Sequence, residues 1–250
     1  MGYIENVYIG SMTIYILSTL IVIGFMIKSP AYRSPITITA LFSTLTALIY
    51  SVMIVIWGLN PESVYNMSRV MTAFYIISTS LAFVPGLVGF HRISRETGSK
   101  IGTIFAMVGY LWAFVLIVMV IAINVMIAKN FLSVSEDTLD AIFYGHSGHA
   151  FLVIVLYLMT QHHLHGMAKG SLLAYTLLFV QYEIFFYVLT YAVEDTNMYS
   201  ALALVFNDLV MALALVVSVI YGHLWTTKRD SNRGDVYDKV EVALGENSKW

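Results

Sequence analysis

The stretch Ile101-Gly-Thr-Ile-Phe-Ala-Met-Val-Gly-Tyr-Leu-Trp-Ala-Phe-Val-Leu-Ile-Val-Met-Val-Ile-Ala-Ile-Asn-Val-Met-Ile-Ala128 contains no charged side chain. A helix rises 1.5 Å per residue, so about 20 apolar residues cross roughly 30 Å of hydrocarbon. This run is long enough to do so. Six other stretches read the same way: Glu5 to Ile27, Ile36 to Gly58, Val70 to Phe90, Ala141 to Gln161, Leu172 to Tyr191 and Ala201 to Trp225. Backbone polar groups must be satisfied internally in lipid, so these are expected to be helices. The expected fold is all-α: a polytopic membrane protein with seven transmembrane helices over residues 1–225.

Composition points the same way. The chain is 59% hydrophobic and 11% charged, with a mean hydropathy of +0.79. A soluble domain of 250 residues with this make-up would expose more apolar surface than water tolerates. The segment 226–250 is charged and lacks a long apolar run, and it reads as a cytoplasmic, disordered tail. The N-terminus lacks a basic region and a small-residue cleavage site, so the first helix is expected to be a retained anchor.

Orientation follows from the basic residues. With the N-terminus outside and the C-terminus inside, Lys28, Arg33, Arg92, Arg95, Lys100, Lys169, Lys228, Arg229, Arg233, Lys239 and Lys249 face the cytoplasm. Only Arg69 and Lys129 face out, and the reverse orientation inverts this bias. A multi-pass protein of the plasma membrane is expected. Its expected partners are the lipid bilayer and other membrane subunits, not nucleic acid. Asn66-Met-Ser68 fits a glycosylation sequon in what reads as an outer loop.

Several chemistries are excluded. Cysteine is absent, which removes thiolate-held iron-sulfur clusters, thiolate copper sites, covalent haem of the Cys-x-x-Cys-His type and disulfides. A retinal imine needs a lysine within a span, and every lysine here lies in a connection or beyond the last span.

The candidate chemistry is in histidines and two carboxylates. Five of seven histidines, His146, His149, His162, His163 and His165, lie in or at the end of the fifth span. Ionisable side chains in hydrocarbon are costly and mark function by default. Glu183 in the sixth span and Asp208 in the seventh are the carboxylates placed in hydrocarbon. Counting residues from the outer surface puts His149, Glu183 and Asp208 at a common depth of roughly 10 to 13 Å. Asn207 and Gln181 add polar groups near that level. Imidazole with carboxylate suits a metal site or a proton relay, whereas the plain alternative is hydrogen-bonded glue between helices.

A second group lies at the inner surface: His91, His162, His163, His165 and His223. On a continuous helix His149 and His163 return to within about 40° of one face, roughly 21 Å apart. The pair resembles half of the arrangement in diheme cytochromes b, over one helix only. That resemblance implies b-type haem on His149 and His163, with His91 or His223 opposite His163. Phe143-Tyr-Gly-His146 followed by His162-His163 is similar to histidine-bearing helices of haem-copper oxidases.

Two functions are therefore expected from this pattern. One is an integral membrane redox subunit of an electron-transfer or respiratory complex, binding haem b or copper through these histidines, with Glu183 and Asp208 carrying protons. The other is a proton- or metal-ion-coupled transporter with an intramembrane His, Glu and Asp site, or a cofactor-free helical subunit of a larger complex. Pro85 should kink the third helix, and Gly86 and Gly89 should admit a close neighbour.

Overall fold

The computed structural model describes residues 3–28, 34–59, 64–128, 136–163, 166–192 and 196–224. The tail 226–250 and His165 lie outside the described residues. All regular structure among the described residues is helical. The α-helices are α1 (Tyr3–Lys28), α2 (Pro35–Leu59), α3 (Val64–Glu96), α4 (Lys100–Ala128), α5 (Glu136–Thr160), α6 (Gly166–Ala192) and α7, which starts as Thr196–Ala203. α7 then widens into a π-helical segment, Leu204–Leu209, and continues as α-helix over 210–224.

Local sequence explains several of these boundaries. Ser34 caps α2 by accepting a hydrogen bond from the Thr37 N–H at 3.3 Å, and Pro35 follows at the first helical position, where no donor is missed. α3 stops at Thr97-Gly98-Ser99. The Ser99 N–H donates to the Ser94 carbonyl at 2.8 Å and the Gly98 N–H to the Arg95 carbonyl at 3.3 Å, with Gly98 at φ 73°. This is the left-handed helix stop that glycine adopts without a Cβ penalty. Ser99 then caps α4 through the Gly102 N–H at 3.2 Å.

Each helix packs on its successor, and α7 returns to α1, so the seven close into a ring. α3 also touches α5 and α6, which sets it toward the centre. The core is built on Phe83, Leu87, Phe90 and Ile93 of α3, Leu156 of α5, Leu172 and Phe179 of α6, and Leu215 of α7. α3 runs unbroken through Pro85. Next to it, the Tyr175 hydroxyl of α6 donates to the Ala82 carbonyl at 3.1 Å. A Cβ on Gly86 would stand 2.5 Å from the Tyr175 ring, and one on Gly89 would stand 2.5 Å from the Tyr221 ring. Both glycines admit a close neighbour, as expected, and in each case the neighbour is a tyrosine.

The surface inverts the pattern of a water-soluble bundle. Leu20, Ile101, Ile104, Leu111, Phe114, Phe151 and Leu177 are exposed, whereas Thr37, Ser43, Thr44 and Ser80 are fully buried. Among the described residues, four helical stretches are long and apolar enough to cross a membrane: Asn6–Lys28, Pro35–Ile56, Lys100–Met119 and Met198–Leu224. In α5 the apolar stretch Gly148–Thr160 is shorter. The sequon Asn66-Met-Ser68 falls in the first turns of α3, not in a loop.

Candidate functional site

Asp208 sits in the π-helical segment of α7. A π turn inserts an extra residue into the helical repeat, re-aims the side chains around it and is frequent at functional sites. Phe206 of this segment stacks on Phe185 of α6, with ring centroids 4.2 Å apart and planes 6° apart. Asp208, two residues on, is directed to α1. The Tyr15 phenol donates to its Oδ1 at 3.0 Å, with Met211 Sδ 3.9 Å from the same hydroxyl. Ser11, one turn earlier on α1, brings a second hydroxyl to the carboxylate. Tyr15 is 2% exposed, so this hydrogen bond is made at a packed seam, while Asp208 itself is half-buried.

More phenols surround this pair. Tyr50 of α2 lies within electrostatic reach of Asp208, Tyr199 and Tyr8, and Tyr8 is hydrogen-bonded to Ser200. Asn207 is buried at 5% exposure, and its Oδ1 has no hydrogen-bond partner among the described residues. The seam between α1, α2 and α7 thus gathers a carboxylate, hydroxyls and phenols within apolar helices. A chain of groups that both donate and accept can pass a proton from one to the next.

His149 and Glu183 occupy different surroundings. His149 is fully buried, and its ring stacks on Phe83 of α3 at 4.2 Å between centroids. Phe83 in turn packs on Phe179 of α6 at 5.8 Å, and Phe179 on Tyr182 at 6.2 Å. Glu183 follows Tyr182 and is 2% exposed. The imidazole, Phe83, Phe179 and Tyr182 form one aromatic cluster between α3, α5 and α6. Of the expected layer of His149, Glu183 and Asp208, His149 meets Phe83 of α3 and Asp208 meets Tyr15 of α1, while Glu183 is buried on α6.

The inner histidines lie on several elements. α5 ends at Thr160, and Gln161–His163 form a tighter 3₁₀ turn. The continuous α-helix assumed in placing His149 and His163 on one face does not extend that far, because a 3₁₀ turn advances each residue by about 120° and not 100°. His162 is exposed, the side chains of His146 and His163 lie outside the described residues, and His223 is half-buried at the end of α7. His91 meets Tyr110 of α4 edge to face at 5.8 Å. Both border an open cleft of about 810 Å³ with Arg92, Arg95 and Glu96. Among the described residues, no three His, Cys, Asp or Glu side chains come together in a way that could hold a metal ion.

Tyr15, Ser11 and Tyr50 were not singled out from sequence. A signal was present, because Tyr8, Ser11, Tyr15 and Ser18 recur at three- and four-residue steps along one face of α1. Abundant tyrosine at span ends, where aromatic belts form, hid that stripe. Comparison with protein families, with curated proteins and with solved structures found no match.

Proposed function

We propose that the chain is a seven-span integral membrane protein of the plasma membrane that moves protons, alone or coupled to a solute. Its N-terminus is outside and its tail is inside, in keeping with the distribution of basic residues. The observation that carries this reading is Asp208. It is a carboxylate in an apolar helix, set in a π turn, with the Tyr15 phenol 3.0 Å from Oδ1. Helix glue alone needs a hydrogen bond but not a π turn with further phenols around it. Asp208 takes up and releases the proton, and Tyr15 and Ser11 orient the carboxylate.

The test is proton flux into proteoliposomes that contain the purified protein and a pH-sensitive dye, under an imposed pH gradient. Wild type is expected to exceed empty liposomes, and Asp208→Asn to return to their level while folding normally. Flux in the variant equal to wild type removes Asp208 from the route. No flux from wild type, with or without a panel of added solutes, ends the reading.

A redox subunit holding haem b or copper is the second reading, favoured by one observation. The His91 imidazole borders a cleft whose two arginines suit the carboxylates of a haem. A dithionite-reduced minus oxidised spectrum with elemental analysis decides it. A sharp alpha band with stoichiometric iron supports haem, and its absence removes haem as a resident cofactor.

A further inference from the structure

The cleft beside His91 belongs to neither the Asp208 seam nor the aromatic core, and its chemistry is distinct. Arg95 stands in the last turn of α3 and Arg92 just before it, with His91 and Tyr110 lining the same cleft. Arg92 Nε is 3.3 Å from Glu96 Oε1, so one carboxylate offsets one of the two guanidinium charges, and Arg95 is exposed. Pro35, the first residue of α2, also lines the cleft. The positive end of the α2 dipole is therefore added to the charge of Arg95. Basic side chains at a helix end are often plain dipole partners or interface anchors. Those roles do not require an imidazole, a phenol and a second helix start around one open volume of about 810 Å³.

The depth of the cleft adds a second constraint. It runs from Arg95 and Glu96, at the end of α3, to Tyr110, about 15 Å along α4 from its first residue. Val88 lines it between those levels. A polar mouth with an apolar floor suits an amphiphile whose anionic head meets the arginines.

We infer that this cleft binds a phosphate-type anion, with the head group of an anionic phospholipid as its occupant. Arg95 and Arg92 hold the phosphate oxygens, where a guanidinium offers paired donors. His91, one turn from Arg95, gives it a further donor, and the wall from Val88 to Tyr110 takes the start of an acyl chain. Glu96 works against the anion and sets a limit on affinity. This assignment is independent of the proton route through Asp208.

The experiment is native mass spectrometry of the full chain in detergent, titrated with phosphatidylglycerol or phosphatidylcholine. Calorimetric titration with inorganic phosphate runs in parallel. Phosphatidylglycerol is expected to bind and phosphatidylcholine to bind more weakly. Arg95→Gln should weaken phosphatidylglycerol binding about fivefold, the usual contribution of one basic residue facing an anionic lipid. Glu96→Gln should tighten it, an effect that loss of structure does not produce. Lys169→Gln, an exposed charge on α6 away from the cleft, should leave it unchanged. Saturable binding of inorganic phosphate with the same variant pattern, and no preference among lipids, assigns the same phosphate site to a soluble ligand and overturns the lipid. Equal losses in Arg95→Gln and Lys169→Gln, or no binding of any of the three, overturn the site.

Discussion

The seam between α1 and α7 and the core between α3, α5 and α6 each hold a carboxyl group within a helix, and they surround it differently. At the seam Asp208 is half-buried, faces phenols and a serine, and sits where the helix widens to a π turn. In the core Glu183 is nearly sealed, and its sequence neighbour Tyr182 ends a series of packed rings, Phe179 and Phe83, the last of which stacks on His149. The first arrangement offers a proton partners to go to. The second fixes helix positions through close ring contacts. Burial alone does not distinguish a working carboxylate from a structural one, but the chemistry of the next groups does.

The sharpest way to break the contrast is to empty the core. Phe83→Ala removes a fully buried ring that links α3 to both α5 and α6, and it should cost about 3 kcal/mol of stability. Unfolding in mixed micelles checks this, and a loss near zero means that the aromatic cluster is not what holds these helices. Asp208→Asn should lower proton flux on the order of a hundredfold, the contribution of one positioned acid or base. Glu183→Gln should slow flux by a smaller factor, about tenfold or less on the same scale. Equal losses in the two variants would merge the regions into one route and end the distinction between them.

Tyr15→Phe deletes the phenol that donates to Asp208 and leaves its ring in place. Flux should fall about tenfold, the scale of one hydrogen bond to a charged group. An unchanged rate makes this contact a packing feature. Gly86→Ala tests the close approach of α6 to α3. Its Cβ would meet the Tyr175 ring at 2.5 Å and must displace it, at a cost of about 1 to 3 kcal/mol. Thermal unfolding reads this directly, and a variant as stable as wild type shows that the ring swings aside freely.

Much of the architecture was legible in order. The seven helices fall on the seven apolar stretches, and α3 overruns its expected span at both ends because Ser, Arg and His residues continue a helix without being apolar. Gly98 and the pair Ser34-Pro35 signal a helix stop and a helix start from residue type alone. Of the candidate site residues, the depth of His149, Glu183 and Asp208 came from counting. Their partners did not. Tyr15 lies 193 positions from Asp208 in sequence, and no local pattern joins them. The 3₁₀ turn at Gln161–His163 was also hidden, since an α-helical count assumes the repeat it is meant to test.

By itself, then, the sequence determined an all-helical chain, the length and order of its helices, and which polar groups lie within them, because apolar run length and capping residues are properties of single segments. Tertiary structure decided the direction in which each of those groups points. Rise along an axis is fixed at 1.5 Å per residue, so depth follows from position in the chain. Rotation about the axis has no such rule. It is set by packing, and here ring stacking on Phe83 turned His149 into the core while the π turn in α7 turned Asp208 toward Tyr15.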